Sequence, residues 1–211
     1  MKEILIANKL ISNESNTFII AEISANHNHD IEIAKKMIRE AKKAGADAVK
    51  LQTYTADTIT LDCDNEYFQI KQGTIWDGTT LHKLYEEAYT PWEWHKELMN
   101  VAKEEDIICF SSPFDRSAVD FLEELDVPAY KIASFEITDI PLIEYIAQKG
   151  KPVIISTGIA TIQEIQDAVE ACEKNGNREI ILLKCTSAYP AKLEEMNLKR
   201  IMKKEHLWSG I

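Results

Sequence analysis

The stretch Lys131-Ile-Ala-Ser-Phe-Glu136 closes a short apolar segment with a cation, a hydroxyl and a carboxylate. Alternate side chains of a strand share a face, so Lys131 and Ala133 point one way and Ile132 and Ser134 the other until the strand gives way to loop. A lysine at a buried strand end needs an anionic partner. The same grammar recurs at Ala48-Val-Lys-Leu-Gln-Thr53, Cys109-Phe-Ser-Ser-Pro113, Ile154-Ile-Ser-Thr-Gly158 and Leu183-Lys-Cys-Thr-Ser187, each an apolar run ending in Lys, Ser, Thr or Gln. Several strands delivering such groups to one rim describe a phosphate-binding site, where compact ammonium charge and hydroxyl donors meet anionic oxygens.

The elements that must carry these groups alternate along the chain. Thr17 to Ile23 is an apolar, β-branched run that reads as a strand buried on both faces, with Glu22 as its exception. A helix follows, with Asp30 as N-cap, Ile31, Ala34, Met37, Ile38 and Ala41 at helical spacing, and Gly45 at the C′ position. Ala46 to Gln52 reads as a strand and, after a long insertion, Pro91 to Glu105 as a helix. Further strands are expected at 107–111, 129–133, 153–156 and 180–184, with helices near 117–125, 140–148, 161–174 and 193–203. Thr161-Ile-Gln-Glu164 has capping-box form. About six βα units of crossover length result, which predicts a TIM-type (β/α)8 barrel, with a doubly wound sheet as the alternative. In either fold the ligand lies beyond the carboxyl ends of the strands. Eight units close a barrel, so a chain of about six is expected to be the N-terminal part of a longer enzyme.

Composition narrows the function classes. With 211 residues, 45% hydrophobic and 28% charged, the chain can bury a substantial core and reads as a soluble globular domain. No stretch approaches the roughly 18 apolar residues of a membrane span, and the first residues lack the apolar centre of a secretory signal. A cytoplasmic location is expected. A net charge of −11 argues against nucleic acid and anionic membranes as partners. It leaves an anionic substrate open, because the field within a cleft is set by the few lysines aimed into it. Cys63, Cys109, Cys172 and Cys185 lack metal or redox spacing, and two lie in apolar runs as core thiols.

Ordered motifs at the strand ends carry a resemblance. Ile19-Ile-Ala-Glu-Ile-Ser-Ala-Asn-His27, Ala44-Gly-Ala-Asp-Ala-Val-Lys-Leu-Gln-Thr53, Phe110-Ser-Ser-Pro-Phe114, Tyr130-Lys-Ile-Ala-Ser-Phe-Glu136, Val153-Ile-Ile-Ser-Thr-Gly158 and Leu183-Lys-Cys-Thr-Ser-Ala-Tyr-Pro190 resemble the sialic acid synthase family. Gly73-Thr-Ile-Trp-Asp-Gly78 and Leu84 to His95 are similar to its pseudaminic acid branch. The resemblance implies condensation of phosphoenolpyruvate with an amino-sugar aldehyde, releasing phosphate by C–O cleavage. In the pseudaminic branch the aldehyde would be 2,4-diacetamido-2,4,6-trideoxy-L-altrose; N-acetylneuraminate or legionaminate synthesis is the alternative. It also implies a divalent metal, usually manganese, and a homodimer when full length. The family's metal-binding histidines, later barrel units and C-terminal antifreeze-like domain have no counterpart in this sequence. An inactive phosphate-binding fragment is therefore a rival expectation.

Carried over by motif position, Lys50, Ser112, Lys131, Ser134, Ser156 and Ser187 would hold phosphoenolpyruvate, while Gln52 and Tyr189 would face the sugar. Glu22 would handle a proton or bind a sugar hydroxyl. Blander readings compete: a strand-end lysine can pair with a nearby carboxylate, a strand-end serine can cap the next helix, and Glu22 can be an ion-pair partner. His27 and His29 read as hydrogen-bonding loop residues rather than metal ligands, and Trp76, Trp92 and Trp94 as packing groups. A Schiff-base aldolase using Lys131 or Lys184 is a rival chemistry.

Overall fold

The computed structural model describes residues 3–71, 77–188 and 191–197. In chain order the strands are β1 (Ile4–Ile6), β2 (Lys9–Ile11), β3 (Ile20–Glu22), β4 (Ala48–Thr53), β5 (Ile108–Pro113), β6 (Tyr130–Ile132), β7 (Val153–Ser156) and β8 (Ile180–Leu183). The helices are α1 (Ile31–Lys43), α2 (Ala56–Ile59), α3 (Leu81–Ala88), α4 (Trp92–Glu104), α5 (Arg116–Glu124), α6 (Ile140–Ala147) and α7 (Ile162–Lys174). Strands β3 to β8 follow in chain order through one sheet, as consecutive βα units of a barrel require. This is a TIM-type architecture represented by its first six units.

The chain divides into two compact units, one from Phe18 to Asp126 and the other built from the residues on either side of it. In the first, parallel register pairs Glu22 with Lys50 and Gln52 with Ser112. Residues paired in register point to the same face, and so do residues two apart, so Glu22, Lys50, Gln52 and Ser112 share one face. The opposite face carries Val49 and Leu51, which join Ile23, Ala34, Ile38, Leu98, Val101, Ala102 and Ile107 in a core under α1 and α4. Each large aliphatic group buried there contributes roughly 1.5–3 kcal/mol. The helices thus cover one face and leave the other to the polar side chains.

Local chemistry fixes where the helices start and stop. Asp30 Oδ1 accepts from the Glu32 amide at 2.8 Å, and Gly45 at φ 90° turns the chain out of α1, a geometry that a β-carbon would strain. At α7 the capping box is reciprocal: Thr161 Oγ1 accepts from the Glu164 amide at 3.3 Å and Glu164 Oε2 from the Thr161 amide at 2.7 Å.

In the second unit Lys131 is in register with Ile154, and Ser156 with Leu183. Lys131 and Ser156 therefore share a face, while Tyr130, Ile132, Val153 and Ile155 point the other way and are buried. The hairpin β1–β2, with Leu5 opposite Leu10, belongs to this unit and was not expected, because three-residue strands are too short to display an alternation.

Several boundaries differ from expectation. The strand expected over 17–23 is confined to Ile20–Glu22, and that over 129–133 to Tyr130–Ile132, because the chain leaves the ladder at Ala133 and enters a 3₁₀ turn at Glu136–Thr138. The insertion between β4 and α4 holds α2 and α3. Of the helix expected from Leu193, the described part is a 3₁₀ turn at Leu193–Glu195, and 198–203 lies outside the described residues.

Candidate active site

Polar groups gather at the carboxyl ends of the parallel strands in both units. In the first, Lys50 is only 4% exposed, and its Nζ lies 3.4 Å from Glu22 Oε2 and donates to Ser112 Oγ at 3.4 Å. Burial pulls the Lys50 ammonium below the usual lysine range, and the Glu22 carboxylate partly restores it. Glu22 remains 57% exposed, so one end of the ion pair faces solvent and can be reached by a ligand. Gln52 lies two residues on from Lys50, on the same face, in register with Ser112.

In the second unit Lys131 is 4% exposed. Its Nζ donates to Ser156 Oγ at 2.6 Å and to the Ile132 carbonyl at 2.8 Å. Ser187 Oγ donates to Ser134 Oγ at 3.2 Å, bringing the ends of β6 and β8 together. Glu136, at the first position after the β6 turn, has a buried Oε2 with no hydrogen-bond partner. Burial raises its pKa and the Lys131 charge opposes the rise, so the carboxyl is poised to hold a proton at a higher pH than an ordinary glutamate. Lys184, the rival nucleophile, donates to Thr186 Oγ1 at 2.9 Å. Tyr189, assigned to the sugar, lies outside the described residues, as does Trp76.

Three groups of this unit were missed as site residues. Glu136 was visible in its motif, yet nothing in the sequence distinguished it from a solvated carboxylate. Cys185 lies in the strand-end motif 183–187 with no role assigned from sequence, and its Sγ lies 3.2 Å from Ser156 Oγ. Gly158 closes the motif 153–158 with no role assigned from sequence. A β-carbon there would lie 2.1 Å from Ser187 Oγ, 3.1 Å from Ser134 Oγ and 3.2 Å from Cys185 Cβ. Gly158→Ala is expected to destabilise the protein by about 1–3 kcal/mol through overpacking, since Ser187 can rotate away but the Cys185 Cβ cannot. A urea-unfolding midpoint equal to that of the unsubstituted protein would contradict this.

The described histidines are committed elsewhere. His27 Nδ1 accepts the His29 amide at 3.1 Å, which leaves Nε2–H to donate to Thr90 Oγ1 at 3.0 Å; burial holds this ring below the usual histidine range. His27 and His29 also pack edge-on against Trp94. Trp92 stacks on Phe121 and donates its indole N–H to the Tyr54 carbonyl at 3.2 Å, the anchoring role expected of it. His82 pairs with Asp57 at 2.8 Å. Among the described residues no group of three His, Cys, Asp or Glu side chains is placed to hold a metal ion. These residues therefore do not fit the divalent metal expected from the resemblance.

The NeuB family profile matches residues 37–208. The chain belongs to the NeuB family. It is 51% identical over 189 residues to a pseudaminic acid synthase of Campylobacter jejuni, a match that covers 90% of this chain and 55% of that protein. A pseudaminic acid synthase of Helicobacter pylori is likewise 51% identical, over 88% of this chain and 54% of that protein. The chain thus spans about half the length of these curated relatives. Among solved structures, the N-acetylneuraminic acid synthetase of Leptospira borgpetersenii superposes with a TM-score of 0.85 at 31% identity, over 98% of this chain and 67% of that one. Sequence kinship and fold agree on membership of the NeuB family.

Proposed function

We propose that this chain is the N-terminal part of a synthase that condenses phosphoenolpyruvate with 2,4-diacetamido-2,4,6-trideoxy-L-altrose to give pseudaminic acid and phosphate. The 51% identity to two pseudaminic acid synthases supports this substrate over the neuraminic and legionaminic alternatives. The observation that carries the donor assignment is the pair of lysines, each 4% exposed at a strand end and each joined to a serine hydroxyl.

In this reading C3 of phosphoenolpyruvate attacks the aldehyde carbon, forming the new C–C bond, and the aldehyde oxygen takes up a proton. Water adds at C2, and phosphate departs with cleavage of the C2–O bond. Lys50 and Lys131 supply compact positive charge to the donor's phosphate and carboxylate, and Ser112, Ser134, Ser156 and Ser187 donate hydrogen bonds. Glu136, with its raised pKa, is a proton carrier for these steps. Glu22 and Gln52, with Tyr189, recognise the sugar's hydroxyl and acetamido groups. In this reading the protein works in the cytoplasm, and as a homodimer when full length; no described residue is assigned to the divalent metal that the resemblance implies.

The test is phosphate release from phosphoenolpyruvate in the presence of a divalent metal and each candidate aldehyde in turn. Release that depends on the altrose derivative, with a nine-carbon 2-keto acid as product, is the expected outcome. Binding of phosphoenolpyruvate with no release under any aldehyde would leave a binder and overturn the reading.

A further inference from the structure

Cys185 sits where it can decide the direction of a proton. A lysine ammonium only donates, so in its 2.6 Å contact with Lys131 the Ser156 oxygen is the acceptor. The second neighbour of that oxygen is Cys185 Sγ, at 3.2 Å. The thiol has one proton and two acceptors in reach, Ser156 Oγ and the Leu183 carbonyl at 3.5 Å, and the serine is the nearer. Sulfur is a poor acceptor, so the Ser156 hydroxyl gains little by donating to it.

A hydroxyl offers two lone pairs and one proton. With Lys131 on one lone pair and the Cys185 thiol on the other, the Ser156 proton is directed away from both. Ser156 is paired with Leu183, and Cys185 follows two residues later, just past the end of β8, with its Sγ at Ser156 Oγ. The Cys185 Cβ is also held close to the backbone of Gly158, only 3.2 Å from where a β-carbon would stand.

We propose that Cys185 is a positioning residue of the donor site, whose thiol donates to Ser156 and so commits the Ser156 hydroxyl proton to an anionic oxygen of phosphoenolpyruvate. This role rests on the donor assignment made above. It adds a group that touches no substrate atom but orients one that does.

The test is calorimetric titration of phosphoenolpyruvate into the 211-residue chain and its Cys185→Ala and Cys185→Ser variants, with thermal unfolding of each. Losing one neutral hydrogen bond is expected to weaken binding about 3–10-fold in Cys185→Ala. Cys185→Ser restores a donor at that position and is expected to stay within about twofold of the unsubstituted chain. Equal affinity in Cys185→Ala, or a Cys185→Ser variant as weak as Cys185→Ala, would overturn the proposal; the second result would mean that sulfur acts by filling space. If the unsubstituted chain does not bind phosphoenolpyruvate, the donor assignment itself falls and this role falls with it.

Discussion

Lys131→Met is expected to weaken phosphoenolpyruvate binding by at least about 100-fold while the protein stays folded. The ammonium is 4% exposed and its visible hydrogen bonds run to Ser156 and the Ile132 carbonyl. Hydrogen bonds to a charged group are each worth about 1.5–3 kcal/mol, and tenfold in affinity is about 1.4 kcal/mol. With Lys131 as a proposed cation of the donor site, its removal is expected to cost two or more powers of ten. Met keeps most of the apolar stem, so folding is spared. The change also removes the charge that opposes the rise in the Glu136 pKa, leaving Glu136 neutral to a still higher pH. Lys131→Arg is not expected to rescue binding, because a planar fork cannot replace a compact ammonium in a buried space fitted to one. Calorimetry with urea unfolding separates the two effects; unchanged affinity in the Met variant would show that Lys131 is a structural cation.

The second large effect is a pH dependence of stability that originates behind the site. On the helix-facing side of β4 and β5, the His95 ring is fully buried, with Nδ1–H directed at the Pro91 carbonyl at 3.2 Å. Nε2 therefore accepts from Thr53 Oγ1 at 2.8 Å, and Thr53 in turn accepts from Ser111 Oγ at 2.7 Å. Burial lowers the His95 pKa to about 4. The unfolded ring titrates near 6.5, so between about pH 6.5 and 4 the unfolded state binds more protons than the folded one. Stability consequently falls as the pH drops through that window and levels off below it. The loss from this residue is on the order of 3 kcal/mol. His27 is shifted in the same direction, so the measurement is a difference: urea-derived stability of the unsubstituted protein minus that of His95→Gln. That difference is expected to shrink between pH 7 and pH 4. A constant difference would mean that His95 is not held neutral by the fold.

What the sequence disclosed follows from what side-chain patterns encode. The strand-and-helix alternation is written in apolar periodicity, and the caps at Asp30 and Thr161 in residue type, so both matched the structure. The placement of Lys50 with Glu22 and Ser112 followed from strand parity plus parallel register. Burial of Lys131 was legible for the same reason. Glu136 was not, because its significance comes from desolvation, which depends on neighbours distant in sequence. Gly158 was invisible as a floor for Ser187 and Ser134, since the close approach involves the ends of three strands. The Thr53–His95–Ser111 network escaped notice because a histidine inside an amphipathic helix reads like any other polar residue until its partners are known.

Titration of phosphoenolpyruvate into the unsubstituted chain, Lys50→Met and Lys131→Met examines the proposed donor role of each lysine without intermediaries. The expected result is binding by the unsubstituted chain that is lost in both variants. Retention of full affinity by either variant would contradict it.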